Sequence, residues 1–190
     1  ALFTEDFFTL ARNRLTDEGV FAQFVHSYQM DWPTFAMIGR TFAKTFPNNL
    51  LVITDLRSDY LMVGFKGKKP AHVLANAAYK KEAIKQFKNV TLKDPRLLYL
   101  FITSEDIQKL FGEGETHSDA SPRLEYMAPR AMYINDPEIL KNLQKNAWIS
   151  PDTKGIIDDL NVSVDQKINY FNYLLSVHLR PDIIEYPPGA

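Results

Sequence analysis

Val20-Phe21-Ala22-Gln23-Phe24-Val25, a run broken only by Gln23, is the stretch on which the fold turns. So short and apolar a run suits a strand covered on both faces, as in a parallel sheet. Upstream, residues 4–18 set Phe7, Leu10, Ala11 and Leu15 at helical spacing, with Thr4 as N-cap and Glu5 and Asp6 in the positive first turn. Gly19 predicts the stop. Downstream, Asp31-Trp32-Pro33 reads as a helix start, and Phe35, Ile38, Phe42 and Phe46 continue it on one face until Pro47-Asn48-Asn49. Leu50 to Ile53 and Tyr60 to Phe65 are strand-like runs around a polar turn, so they predict an antiparallel hairpin. Helix, strand, helix, strand, strand is an α/β order. It is also half of one, because a helix entering a buried strand is normally the second half of a crossover from an earlier parallel strand. The expectation is that upstream strands exist in the native protein, or that another chain lends them through dimerisation or swapping.

Composition narrows the classes. The chain has 190 residues, of which 45% are hydrophobic and 13% aromatic, enough for a packed core and incompatible with disorder as the main state. Twenty-two Lys and Arg against 23 Asp and Glu leave a formal charge of −1, without the footprint of a nucleic-acid-binding domain. No cysteine is present, which excludes a disulfide scaffold, a thiolate metal site and a cysteine nucleophile, and fits a reducing compartment. No apolar run approaches the roughly 18 residues of a membrane span, and no signal peptide opens the chain. The chain starts at Ala1 inside an amphipathic pattern, which reads as a cut or processed end.

Two stretches resemble the spermidine synthase-like (polyamine aminopropyltransferase) family, including its bacterial forms fused behind a membrane transporter-like segment. The first is Leu2-Phe3-Thr4-Glu5-Asp6-Phe7-Phe8 with Ala11-Arg12, Leu15 and Gly19-Val20-Phe21-Ala22-Gln23. It is similar to the family's segment after the catalytic loop, where a helix leads to the fifth strand of a methyltransferase-like Rossmann domain. The second and stronger is His117-Ser118-Asp119-Ala120-Ser121-Pro122-Arg123-Leu124-Glu125-Tyr126-Met127-Ala128-Pro129-Arg130, ending at Tyr133. It is similar to the N-T-D-D-x-P-x-L-E-Y-x-A-P-R run of the longer, fused members, with His117, Ser118 and Ala120 replacing Asn, Thr and the second Asp. The resemblance covers about residues 2–133. It implies an α/β fold: the C-terminal half of a methyltransferase-like Rossmann sheet (residues 1–69), followed by a mostly α-helical extension (70–190) with an irregular segment at 112–130.

The resemblance also implies what lies elsewhere. Family members bind decarboxylated S-adenosylmethionine, or S-adenosylmethionine in methyltransferase relatives, on a Gly-rich loop, and the eight glycines here form no such cluster. The family's proton-accepting aspartate precedes the segment matching Leu2-Phe3, outside this chain. Aminopropyltransferases further carry a Tyr-Pro stretch at the hairpin over the polyamine, whereas Asp55-Leu56-Arg57-Ser58-Asp59-Tyr60 has no proline. The implied function is aminopropyl transfer to a diamine such as putrescine in the full-length protein, with this chain inactive alone. A non-catalytic interaction or dimerisation module and an S-adenosylmethionine-dependent methyltransferase stand as the alternatives. The implied location is the cytoplasm, or the cytoplasmic side of a membrane protein; a homodimer and a preceding membrane segment are open partners, and nucleic acid is not expected.

Five residues are the substrate-binding candidates. Gln23 lies at or near the end of the first strand, the carboxyl edge where open α/β sheets place ligands, and an amide there can hydrogen-bond an amine. His26 and Tyr28 follow in the loop where a substrate would lie. Asp55 and Asp59 bring negative charge to a polyammonium ligand. The bland readings are a core-edge amide satisfied by backbone, and solvated turn acids. The histidines at 26, 72, 117 and 178 have no metal-ligand spacing, and His117-Ser118-Asp119 are too close in sequence to form a catalytic relay. Lys66-Gly67-Lys68-Lys69 and Lys80-Lys81 read as solvated faces.

Beyond Pro70 the sequence predicts helices: one through Val73, Leu74, Ala77, Ala78, Ile84 and Phe87, a short one capped by Ser104, one from Asp136-Pro137, and a last one behind the capping box Ser163-x-x-Gln166. Pro95 to Ile102 is a dense apolar run. Tyr170, Phe171 and Tyr173 give the last helix aromatic groups on more than one face, as in a core or an interface.

Overall fold

The computed structural model describes residues 1–55, 59–68, 99, 101–134 and 136–159. The helices expected around residues 73–87 and after Ser163, with Lys80-Lys81 and most of the Pro95 to Ile102 run, lie outside the described residues. The described elements, in chain order, are α1 (Glu5–Arg14), β1 (Val20–His26), α2 (Trp32–Thr45), β2 (Asn48–Asp55), β3 (Asp59–Phe65), β4 (Ile102–Ser104), α3 (Ile107–Phe111), α4 (Arg123–Ala131), α5 (Glu138–Asn146) and α6 (Pro151–Asp158).

Local chemistry starts the two first helices as the residues predict. Thr4 caps α1 by accepting from the Phe7 amide at 3.1 Å, and Asp31 caps α2 by accepting from the Thr34 amide at 3.0 Å. Helix α1 stops at Arg14, with Leu15 as its C-cap, short of the expected stop at Gly19. Gly19 instead allows a close approach, since a Cβ there would stand 2.6 Å from that of Leu15.

The protein is mixed α/β, with a four-stranded sheet in the order β1-β3-β2-β4. Every described pairing is antiparallel. This corrects two expectations. No parallel ladder of a Rossmann sheet forms among the described strands, because β3 returns from the β2 hairpin and inserts between β2 and β1. Nor is β1 covered on both faces: it lies at the sheet edge, with Val20 50% and Phe24 46% exposed. Since β1 and β2 each run antiparallel to β3, they are parallel to one another, joined through α2.

The pleat sends Phe21, Gln23 and Val25 to the helix side of β1. Phe21 there stacks on Phe46 at 5.6 Å between ring centroids, Phe46 on Phe42 at 5.0 Å, and Phe8 meets Phe42 edge-on at 5.2 Å. This aromatic column ties α1, α2 and β1 together, each buried ring contributing about 2 kcal/mol. Gly64 admits it, because a Cβ at that position would lie 2.4 Å from the Phe46 ring.

The helical extension shares this core. Ile107, Leu110, Phe111, Leu124, Ile139 and Leu143 join the same buried cluster, and Ile102–Ser104 supplies the fourth strand. Gly39 lets α3 approach α2, since its missing Cβ would stand 2.2 Å from the Phe111 ring. The short helix is capped by Asp106, which accepts from the Lys109 amide at 2.9 Å, rather than by Ser104. The buried Asn49 fixes its start from β2, accepting from the Ile107 amide at 2.7 Å. Within the stretch expected to be irregular, Arg123–Ala131 is helical despite Pro129, because Leu124 and Ala131 are buried against the domain and packing overrides propensity. Among the described residues no helix is long and apolar enough to cross a membrane.

Candidate functional site

Parallel strands β1 and β2 end on the same side of the sheet, and β3 begins there. The register places His26 opposite Asp59, and Asp59 opposite Asp55 across an irregularity between Ile53 and Asp55. Three of the five candidate residues thus meet in one row at the carboxyl edge. Tyr28 is the fourth: its ring stacks on the His26 imidazole at 4.4 Å and 24° while remaining 47% exposed.

Gln23 does not join them. It sits in the middle of β1 opposite Met62, and its side-chain amide donates to the Phe24 carbonyl at 2.9 Å. The strand runs on to His26, so a residue expected at or near its end is interior and locally satisfied.

Asp59 has an unanswered atom. Its Oδ1 is buried and accepts no hydrogen bond among the described residues. Buried polar atoms normally find partners, and an acceptor without one marks a place where a donor is gained at little desolvation cost. The adjoining loop carries a second irregularity: Gln29 adopts φ 54°, the left-handed region that non-glycine residues rarely enter. A carboxylate, an imidazole and a half-exposed stacked phenol are groups of the type that pair with a small hydrogen-bond-donating cation.

Residues far along the chain shape this edge. The Asp136 carboxylate accepts from the Trp32 amide at 2.8 Å through one oxygen and from the Glu138 amide at 3.0 Å through the other, tying the starts of α2 and α5 together. The Trp32 ring packs on Phe111 at 5.4 Å. Asp136-Pro137 was legible as a helix start, but its bond to Trp32 leaves no local signal.

The motif from His117 to Arg130 forms a different kind of site. His117 is 1% exposed; its amide donates to Thr41 Oγ1 at 2.9 Å and its carbonyl accepts from the Glu5 amide at 2.8 Å. Burial pushes its imidazole below the ordinary value, against hydrogen bonding to the Ser121 carbonyl and the charges of Glu125 and Asp119. Next to it, Glu5 accepts from Lys44 at 2.7 Å and from Thr116. Burial raises the Glu5 carboxyl, but the bonds from Lys44 and Thr116 outweigh it and hold the group below its usual range. The motif fastens α1 to α2, and no cluster of metal-ligating side chains occurs among the described residues.

No protein-family profile matches the chain, and comparison with curated proteins and with solved structures finds no match.

Proposed function

We propose that this chain is the C-terminal part of a spermidine synthase-like transferase, and that its carboxyl edge binds the ammonium group of a diamine acceptor. The observation that carries the reading is the orphan Asp59 Oδ1, set beside His26 and Tyr28 in a row with Asp55. An ammonium supplies the donor that the Asp59 carboxylate lacks and the positive charge that it favours. The feature in favour of the methyltransferase-like Rossmann half is the connection from β1 through α2 to the parallel strand β2, with the antiparallel β3 between them as the departure from a purely parallel sheet. In this reading the decarboxylated S-adenosylmethionine site and the general base belong to the complementary half, and the chain alone transfers nothing.

The test is an NMR titration of the chain with putrescine, with 1,4-butanediol as the uncharged control. His26 and Tyr28 resonances shift with putrescine only, and Asp59→Asn abolishes the shift. Equal response to the diol, or an undiminished response in Asp59→Asn, removes the diamine reading.

The interaction-module alternative draws on the outer edge of β1. That edge has no strand partner among the described residues, and its seven residues contain neither lysine nor proline to guard it. Sedimentation of the chain beside a Phe24→Lys variant separates the readings: a dimer lost on that substitution favours the module.

A further inference from the structure

The segment between α3 and α4 is fastened to the domain by the Asp119 amide, which donates to the Asp6 carboxylate at 2.8 Å, and by His117. Besides its two backbone bonds to α1 and α2, its Nδ1 faces the Leu124 amide at 3.5 Å. That contact answers a need of α4. Pro122 at the N-cap offers no side-chain acceptor, so the imidazole nitrogen stands where a Ser or Asp oxygen would cap the first turn. An acceptor of this type exists only while Nδ1 carries no proton.

We propose that His117 is a proton-operated latch. The neutral ring holds the start of α4; protonation removes the acceptor, sets a cation against the positive end of the helix, and loosens α4 from the core while the backbone bonds of His117 to α1 and α2 stay in place. Leu124, buried while the latch is closed, is then uncovered beside the already exposed Tyr126.

The groups around the ring decide the direction. Glu125 on α4 and Asp119 in the turn favour the imidazolium, as does the Ser121 carbonyl, while the Ala1 amine opposes it. Helix α2 presents the uncharged Thr41 hydroxyl, itself donating to the Met37 carbonyl at 2.7 Å. Of the cations on α2, Lys44 is committed to Glu5 at the start of α1, and Arg40 donates to the Glu115 carbonyl at 3.4 Å. Desolvation outweighs the favourable charges, so the ring binds its proton more weakly when latched than when released. Release is therefore promoted as pH falls below the ordinary imidazole value of 6.5. The latch is independent of what the carboxyl edge binds.

Hydrogen exchange of the whole chain, corrected for the intrinsic pH dependence of exchange, tests it between about pH 7.5 and about pH 5.5. Opening of the amides in 123–131 should rise by up to about tenfold, the most that one pH unit below an ordinary imidazole can supply. His117→Asn keeps an acceptor oxygen that cannot charge, and should flatten the rise. A flat wild-type profile, or an equal rise in His117→Asn, overturns the latch. If that variant does not fold, ¹³C NMR titration of His117 in the wild type decides. Titration below that of the unfolded chain, in step with α4 amide shifts, supports the latch; titration with α4 static, or no titration, overturns it.

Discussion

His26 and His117 are the same residue type in opposite circumstances. His26 ends a strand at the sheet edge, its ring stacked on a half-exposed tyrosine and its register partner carrying an orphan acceptor. His117 is buried and joins three helices through its amide, carbonyl and ring. One region leaves hydrogen-bonding capacity unspent, the other uses it within the fold. An acceptor without a donor has bonding capacity to spare, whereas a saturated buried residue holds structure.

Substitution should separate the two regions most sharply. His117→Ala keeps the backbone bonds to Thr41 and Glu5 but takes the ring from the Leu124 amide and opens a cavity in the buried region, and should cost about 2–3 kcal/mol in urea unfolding. His26→Ala, on a partly exposed edge, should stay within about 0.5 kcal/mol. Equal losses would erase the distinction. Gly39→Ala is next: the added methyl meets Phe111 in the core behind α2, and overpacking of that kind costs about 1–3 kcal/mol. A neutral result would mean that α3 yields easily and that the extension is loosely attached.

Asp136→Ala probes the bridge between the regions. Losing the bonds to the Trp32 and Glu138 amides should cost about 1 kcal/mol and raise exchange at the start of α2. Acid titration bears on the buried region alone. Glu5 has its carboxyl held below the ordinary 4.5, so its contribution is present above that pH and is lost as pH falls through the lower, folded-state value. Thr116→Val should flatten that part of the stability profile by less than about 1 kcal/mol, since Glu5 keeps its bond from the largely exposed Lys44. The smallest expected effect is Gln23→Met, within about 0.5 kcal/mol and without change in the putrescine titration. Lost diamine response in that variant would return Gln23 to the site.

The sequence showed what is local. Thr4 and Asp31 as caps, the apolar stripe from Phe35 to Phe46, and the hairpin from β2 to β3 were all readable, because each depends on residues within a turn or two. The site was legible in part for the same reason: residues ending β1 and β2 fall on one edge if those strands are parallel, and the register brings His26, Asp59 and Asp55 into a row. The fold class was legible only as mixed α/β.

Tertiary structure decided the rest. Insertion of β3 between β1 and β2 replaced a parallel pairing of those two strands with antiparallel ones and left β1 at the edge, an outcome the apolar run Val20 to Val25 does not encode, since strand periodicity is the same for either neighbour. Folding also placed Gln23 inside the strand, made a helix across Pro129, and brought His117 to Thr41 and Glu5, and Asp136 to Trp32. Residue type and spacing determine which groups can bond; only the packed chain determines which of them meet a partner and which are left waiting for one.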